Sequence, residues 1–238
     1  MKDVANRVTA FPEILGPDGL LWAKLPSWRE EGIDSRRHTC TRCEGYSYAH
    51  RFERDVAEIM AGLDSDDDSD AFEEAYRRFG ELLGFHADNS DGTATPDPWW
   101  ISGNSLCLVS EAKNDSNPEH AVPVRHTRQA ASHPQWIRDN VKLDECAEIH
   151  TVMITPARSA HPDVPTYAGD VGWWQIDEFR EWARDAIGVL RGVRAIFTGP
   201  GNIAWRDEVR RKMIEYRLDP SSIIEKATEV LLRDVPIE

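Results

Sequence analysis

The chain of 238 residues has no long apolar run. No uncharged apolar stretch approaches the roughly 18 residues that are needed to span a bilayer. The first residues, Met1 to Val4, also lack the apolar segment of a secretory signal. These two absences predict a protein with no membrane contact and a cytoplasmic location.

Cysteine is scarce, with four residues in the chain. That number does not make a disulfide framework in a chain of this length. Cys40 and Cys43 form a CxxC pair, but no second ligand pair follows at the spacing of a zinc site. We therefore favour reduced thiols over the alternative, a structural Zn²⁺ at Cys40 and Cys43. Cys107 and Cys146 are expected to be small buried residues.

The sequence also lacks a phosphate-binding glycine loop, a Walker-type motif and internal repeats. Any helicase activity must therefore come from another chain. The formal net charge is −14, which argues against strong non-specific binding to nucleic acid. Five acids lie between residues 64 and 70, a run too polar to pack and most simply a loop or linker.

Basic residues are locally in excess between residues 119 and 142. The segment carries four cations against the two acids Glu119 and Asp139. Phosphate contacts come from local patches, so the segment is a candidate nucleic-acid-binding surface. A solvated helix face with ordinary arginine content is the open alternative. The four cations are Arg125, Arg128, Arg138 and Lys142.

The residues that point to chemistry are Pro96-Asp97 and, after thirteen intervening residues, Glu111-Ala112-Lys113. Residues 106–113 are typical of a strand, and its alternation sends the Glu111 and Lys113 side chains to one face. Residues 97–102 are typical of its antiparallel partner, with the chain turning at Gly103.

The length of the turn decides where Asp97 lies. A two-residue turn leaves Asp97 opposite Ser110, on the wrong face for Glu111. A three-residue loop pairs Ser102 with Leu106 and brings Asp97 opposite Glu111, with Cβ atoms about 4.5–5.5 Å apart. We predict the three-residue loop, or a bulge of equal effect.

Two carboxylates and a lysine around one hairpin suit metal-assisted hydrolysis of a phosphodiester. Mg²⁺ takes hard oxygen ligands and is usually held by one or two carboxylates together with the substrate phosphate. Asp97 and Glu111 supply that pair, and Mn²⁺ can substitute for Mg²⁺. Lys113 is placed to orient the attacking water or to stabilise developing negative charge.

A helix is predicted over residues 70–84, with Asp70 as its N-cap and Gly84 as its stop. Glu73 lies three residues after Asp70, which resembles a capping box. A second helix is expected over residues 126–133, interrupted by Pro134.

Together these motifs resemble the PD-(D/E)xK nuclease superfamily, and in particular the nuclease module attached to bacterial DEAD/DEAH-type helicases. The resemblance covers roughly residues 70–190, about half of the chain. It implies a restriction-endonuclease-like fold and a Mg²⁺-dependent nuclease with a helicase-like partner. It also implies products with 5′-phosphate and 3′-hydroxyl ends.

The resemblance implies further site residues. Glu73 on the first helix would be an additional acid, although a capping role alone is weighed equally. The carbonyl of Ala112 would join Asp97, Glu111 and Glu73 as a metal ligand. Gln129 on the second helix matches a polar position that contacts the water or the backbone near the metal.

The expected fold class is α/β, of the α+β mixed-sheet kind. Helices flank a central mixed sheet of four to five strands. Residues 1–63 are predicted to be an N-terminal extension of loops plus one helix, and residues 64–70 an acidic linker. Residues 71–190 are the predicted nuclease core, and residues 191–238 a helical part packed on it.

Two functions from different classes remain open. The first is a metal-dependent nuclease, a DNA endonuclease in bacterial defence or DNA processing. The second is a catalytically silent nucleic-acid-binding or assembly module on the same fold. The complete set of Asp97, Glu111 and Lys113 favours the nuclease, because a module freed from catalysis has no need to keep like charges facing each other.

Overall fold

The structure is a computed structural model, and it describes residues 41–90, 95–196 and 203–238. It has an α/β architecture in which helices flank a five-stranded mixed sheet, which confirms the predicted fold class. The candidate zinc residue Cys40 lies outside the described residues, and so does the side chain of Cys43. Of the helices in the described ranges, none is long and apolar enough to cross a membrane.

The first half of the described chain holds two helices and three strands. These are α1 (Thr41–Leu63), α2 (Ser69–Leu83), β1 (His86–Asp88), β2 (Trp99–Ser102) and β3 (Leu106–Ala112). The second half alternates helices with two further strands. These are α3 (Val124–Asn140), β4 (Glu148–Thr155), α4 (Val164–Ala168), β5 (Gly172–Gln175), α5 (Ile176–Ala195), α6 (Ile203–Glu215), α7 (Pro220–Ala227) and a 3₁₀ turn at Leu232–Asp234.

The five strands follow one another across the sheet in chain order. The strands β1, β2 and β3 are antiparallel neighbours, whereas β3, β4 and β5 are parallel. The long helix α3 makes the crossover between β3 and β4. In the β2–β3 hairpin Ser102 pairs with Leu106, which confirms the predicted three-residue loop. Gly103 takes a positive φ of 58° in that loop, a conformation that glycine adopts without strain.

Each face of the sheet packs against its own helices. On one face Trp100 packs into a core formed with α1, α2 and α5, and it stacks on Tyr76 at 4.3 Å between ring centroids. Gly80 permits this contact, since a Cβ atom there would lie 2.3 Å from the Trp100 indole nitrogen. On the other face Cys107 and Val109 pack against α3.

Two helix boundaries differ from the sequence predictions. The N-cap of α2 is Asp68, whose side chain accepts a hydrogen bond from the Ala71 amide, so the prediction of Asp70 is wrong. Several acids precede this helix, and composition alone does not select the one that caps it. Gly84 ends the helix with φ 97°, as predicted.

The helix α3 runs through Pro134 without interruption, contrary to the prediction. Proline removes one helical hydrogen bond and clashes with the carbonyl four residues earlier. Burial of Ile137 beyond the proline supplies apolar packing that offsets this cost. Cys107 is buried as expected, but Cys146 is exposed, so that prediction is wrong.

The acidic residues between α1 and α2 are held against α5. The Arg184 guanidinium donates to Asp64 at 2.6 Å, and Arg180 donates to Asp66 at 2.8 Å and to the Leu63 carbonyl at 2.7 Å. The segment is therefore a loop, as predicted, but one with specific contacts. Each of these two arginines of α5 is thereby paired with an acid of the loop.

The C-terminal part contains α7 and then returns to the sheet. Asp219 caps α7 by accepting from the Ser222 amide, and Pro220 occupies the first turn, where proline is favoured. Beyond that helix the Trp173 amide donates to the Val230 carbonyl and the Leu232 amide to the Val171 carbonyl. The end of the described chain therefore pairs with the β5 edge, in addition to the predicted helices.

Candidate active site

The predicted site residues meet at the C-terminal end of β3, between α2 and α3. Glu111 is the second-last residue of β3, and Lys113 follows the strand directly. Asp97 precedes β2, so the three-residue hairpin register brings it to the same end of the sheet. Glu73 reaches this place from α2.

Asp97 contacts the backbone of β3. Its Oδ2 accepts a hydrogen bond of 2.5 Å from the Ala112 amide and lies 3.8 Å from the Lys113 ammonium. The side chain is only 13% exposed. Burial raises the pKa of Asp97 to about 6, because the opposing charge of Lys113 compensates only in part and Glu111 adds repulsion.

Glu111 is fully buried, with a cation or a donor on each carboxylate oxygen. Its Oε2 lies 2.5 Å from Nε2 of His133, and its Oε1 lies 2.7 Å from Nζ of Lys113. Burial alone would raise its pKa, but the His133 hydrogen bond and the charge of Lys113 hold the pKa of Glu111 below its ordinary value. The residue is thus favoured as a carboxylate.

Lys113 is the cation at the centre of the site. Its Nζ also donates a hydrogen bond of 2.8 Å to the Ala112 carbonyl, which the resemblance assigns as a metal ligand. Burial would lower the pKa of Lys113, but the carboxylates of Asp97 and Glu111 raise it above its ordinary value. The ammonium therefore occupies the position at which the acids converge.

Glu73 faces the same cluster rather than the start of its helix. Because Asp68 caps α2, the capping role considered for Glu73 is wrong. Its Oε2 accepts a hydrogen bond of 3.4 Å from the Asn89 amide. Burial, followed by the charge of Asp97, raises the pKa of Glu73 to about 7. Its closeness to Asp97 places a third acid beside the pair.

The helix α3 contributes two histidines that the sequence analysis did not single out. His133 is buried and bound to Glu111, while His126, two turns earlier, lies close enough to Lys113 for that charge to lower its pKa after burial does so. Their spacing of seven residues puts them on one helix face, which is a signal that the sequence contains. Gln129 lies between them on the half-buried side of the helix.

The donor set fits a hard divalent cation by its chemistry. Three carboxylates converge from α2, from the residues before β2 and from β3, and Mg²⁺ prefers such oxygen ligands. Oε1 of Glu111 is buried and accepts no hydrogen bond of acceptable geometry from the described residues. In those residues no group of three or more histidine, cysteine or acidic side chains is already arranged around one ion position. An ion would have to displace the Lys113 ammonium from Glu111.

The four predicted nucleic-acid-binding cations are all exposed. Arg125, Arg128 and Arg138 lie on α3, and Lys142 follows the helix by two residues. The Arg128 guanidinium lies 4.0 Å from the centroid of the Tyr167 ring. Because Arg138 lies about 20 Å along α3 from Arg125, and Lys142 lies beyond the helix, the four do not form one compact patch.

Comparison with known proteins leaves the family open: no family model, no curated protein and no solved structure matches the chain. The restriction-endonuclease-like assignment therefore remains a prediction based on the motif.

Proposed function

We propose that this chain is a Mg²⁺-dependent nuclease that hydrolyses phosphodiester bonds, acting on DNA as an endonuclease. One observation carries the proposal. The carboxylates of Asp97 and Glu111 both lie within 4 Å of the Lys113 ammonium, although a chain reversal separates the first acid from the other two residues. Two carboxylates held this close repel each other, and a bound divalent cation would relieve that repulsion.

In this proposal Asp97, Glu73 and the buried Oε1 of Glu111 hold the divalent cation. The bound cation supplies Lewis acidity at the scissile phosphate and a nucleophile at neutral pH. The Ala112 carbonyl, which Lys113 contacts at 2.8 Å, would be a further ligand. The Lys113 ammonium would neutralise charge that develops on the phosphate.

His133 holds the Oε2 side of Glu111, so that Oε1 stays directed at the cation position. His126 and Gln129 extend the same helix face past the site. The half-buried Gln129 is the residue we propose to orient the attacking water, because it lies one turn before His133.

A specific observation also supports the alternative, a silent binding or assembly module. Lys113 already contacts Glu111, Asp97 and the Ala112 carbonyl, so the buried charges are compensated without an ion. A buried ion network of this kind can serve structure alone.

Cleavage assays separate the two functions. Purified protein is incubated with Mg²⁺, Mn²⁺ or EDTA and with supercoiled plasmid, linear duplex, single-stranded DNA or RNA. The nuclease proposal expects metal-dependent cutting that Asp97→Asn and Lys113→Ala abolish. The matched control Lys226→Ala removes an exposed lysine from α7 and should cut normally. Full activity in both site variants would remove the roles assigned to Asp97 and Lys113, and no cutting of any substrate would support the silent module.

A helicase-like partner and a role in bacterial defence or DNA processing are further proposals, and they rest on the resemblance alone. The chain has no motif for nucleotide hydrolysis, so strand separation would have to come from the partner. The test is cleavage of linear duplex with and without an ATP-driven strand-separating protein encoded beside this chain. Stimulation that requires ATP would support the partnership.

A further inference from the structure

A cleft of about 670 Å³ opens between β1 and the end of α3, on the sheet face that carries Trp99. Its size lies in the ordinary range for sites that hold a small molecule or a single nucleotide. Two tryptophans, several amides and one lysine line it. The residues used below are Trp99, Trp136, Asn89, Asn104, Asn140 and Lys142.

The aromatic part of the cleft is suited to stacking. Trp136 is half-buried, and its ring centroid lies 5.5 Å from that of Trp99 at 50°. Trp99 itself is buried and forms the floor. A planar ring that enters the cleft can therefore stack on the half-buried Trp136, as bases do on aromatic residues in proteins that bind single strands.

The polar part of the cleft is suited to the edge of a base. Asn104 and Asn140 each offer an amide, which donates and accepts hydrogen bonds in one plane. The Asn140 amide donates to the Trp136 carbonyl at 2.9 Å, and this bond fixes its position beside the indole. Such amide groups pair with the donor and acceptor edges of nucleobases.

The charged residues of the cleft disfavour the binding of several successive phosphates. Among the described residues that line it, Lys142 is the one lysine or arginine, and Asp88 supplies an opposing carboxylate. Because the whole chain carries a charge of −14, affinity for nucleic acid here has to come from stacking. Lys142 can then contact one phosphate beside the stacked base.

The cleft and the candidate active site are linked through Asn89. Asn89 lines the cleft, and its amide also contacts Glu73 at 3.4 Å. Trp99 lies two residues from Asp97, which is about 7 Å along an extended chain. A nucleotide held in the cleft would therefore place its neighbouring phosphates toward the acids.

We propose that this cleft binds one unpaired nucleotide and gives the protein a preference for single-stranded or locally opened nucleic acid. This proposal adds a substrate preference to the proposed nuclease function, and it rests on that function for the identification of the ligand as nucleic acid. Its substrate class is a strand with an accessible base, since a paired and stacked base cannot enter the cleft.

The test measures binding without cleavage. A short fluorescein-labelled single-stranded DNA is titrated with protein in EDTA, beside the same sequence as a duplex and the same strand with abasic sites. Trp136→Ala should weaken binding of the intact single strand by about 5- to 150-fold, the range for loss of one stacked base. Trp136→Phe should retain most of the affinity, because a phenyl ring still stacks.

A second pair of variants tests the cleft through charge, so that the result does not depend on whether Trp136→Ala folds. Lys142→Glu changes an exposed residue of the cleft, whereas Lys226→Glu makes the same change on α7. The proposal expects weaker binding for Lys142→Glu alone, with a salt slope near −0.7 in wild type for one phosphate contact.

Equal binding of the single strand, the duplex and the abasic strand would overturn the proposal that the cleft binds a nucleotide. Unchanged binding by Trp136→Ala or by Lys142→Glu would also overturn it. The absence of any binding also overturns it. Because these experiments measure binding without cleavage, they do not test the nuclease proposal, which the cleavage assay tests separately.

Discussion

The imidazole of His133 on α3 holds the carboxylate of Glu111 at the end of β3. The two side chains are 2.5 Å apart between Nε2 and Oε2, and both are almost fully buried. This contact joins the helix after the Glu-Ala-Lys strand to the strand itself. It leaves the second oxygen of Glu111 for a cation, which is at present the Lys113 ammonium.

Replacing His133 should therefore affect both stability and metal binding. His133→Ala leaves one oxygen of a buried carboxylate without its donor, which costs about 1–3 kcal/mol of unfolding free energy. Mn²⁺ affinity should fall by about 10- to 100-fold, as for other residues that orient a ligand. Urea unfolding and calorimetric titration measure the two quantities. His133→Gln keeps a donor and should recover part of both, and wild-type behaviour of His133→Ala would show that the contact orients nothing.

Removing the Lys113 ammonium should separate metal binding from cleavage. Because Nζ lies where an ion would bind, Lys113→Met should bind Mn²⁺ at least as tightly as wild type while losing cleavage. Asp97→Asn, in contrast, should lose both, because it removes a ligand. Calorimetry and a plasmid assay on the same preparations provide the comparison. Weaker Mn²⁺ binding by Lys113→Met would contradict the competition between ammonium and ion.

The pH dependence of the metal-free protein follows from two acids. The pKa of Asp97 is raised to about 6 and that of Glu73 to about 7, so the folded state binds more protons than the unfolded state between the ordinary carboxyl range and pH 7. Stability should therefore fall as pH rises from about 5 to 8. Thermal unfolding in EDTA measures this fall, and Glu73→Gln together with Asp97→Asn should flatten it. A rise in stability over the same pH range would contradict the raised pKa values of Asp97 and Glu73.

A bound divalent metal ion should make stability rise with pH over this range, the reverse of the metal-free protein. An ion that binds Asp97 and Glu73 requires both as carboxylates, so binding at pH 6.5 should release protons. Titrating Mn²⁺ in two buffers that differ in ionisation enthalpy counts the released protons. The release should shrink at pH 8, where both acids are already ionised. Heats that do not depend on the buffer at pH 6.5 would mean that the ion binds elsewhere.

The packing of α2 against Trp100 offers a test of the fold. Gly80→Ala puts a methyl group 2.3 Å from the indole nitrogen, which should cost about 1–3 kcal/mol despite the better helix propensity of alanine. Gly188 on α5 is the matched control, since a Cβ there meets nothing within 4 Å. Gly188→Ala should stabilise by up to about 1 kcal/mol. Chemical denaturation of both variants gives the difference, and equal effects would contradict the close contact.

The sequence was sufficient for the hairpin and for the acids that it brings together. Strand alternation and one loop length placed Glu111 and Asp97 at the same end of the sheet, because register leaves few choices once the turn is set. The helix that carries Glu73 followed from periodicity, whereas the mixed sheet was expected from the family resemblance. These features depend on local patterns that the chain contains in short segments.

The remaining features depend on contacts between distant segments. His133 was not singled out because the adjacent Pro134 suggested that the helix was interrupted there, whereas packing of Ile137 carries the helix on. The cleft between β1 and α3 forms from three separate segments, and β1 itself is only three residues long. The seven-residue spacing of His126 and His133 indicates one helix face but not the strand that it packs on, and the cleft has no signal in one short window of sequence.

The central claim, that three acids from separate elements hold one divalent cation, is tested most directly by soaking a crystal in Mn²⁺ and recording anomalous scattering. The account predicts a single strong peak that contacts oxygens of Asp97 and Glu111, with the Lys113 ammonium moved away from Glu111. A map with no peak at this position, in which Lys113 still contacts Glu111, would contradict it.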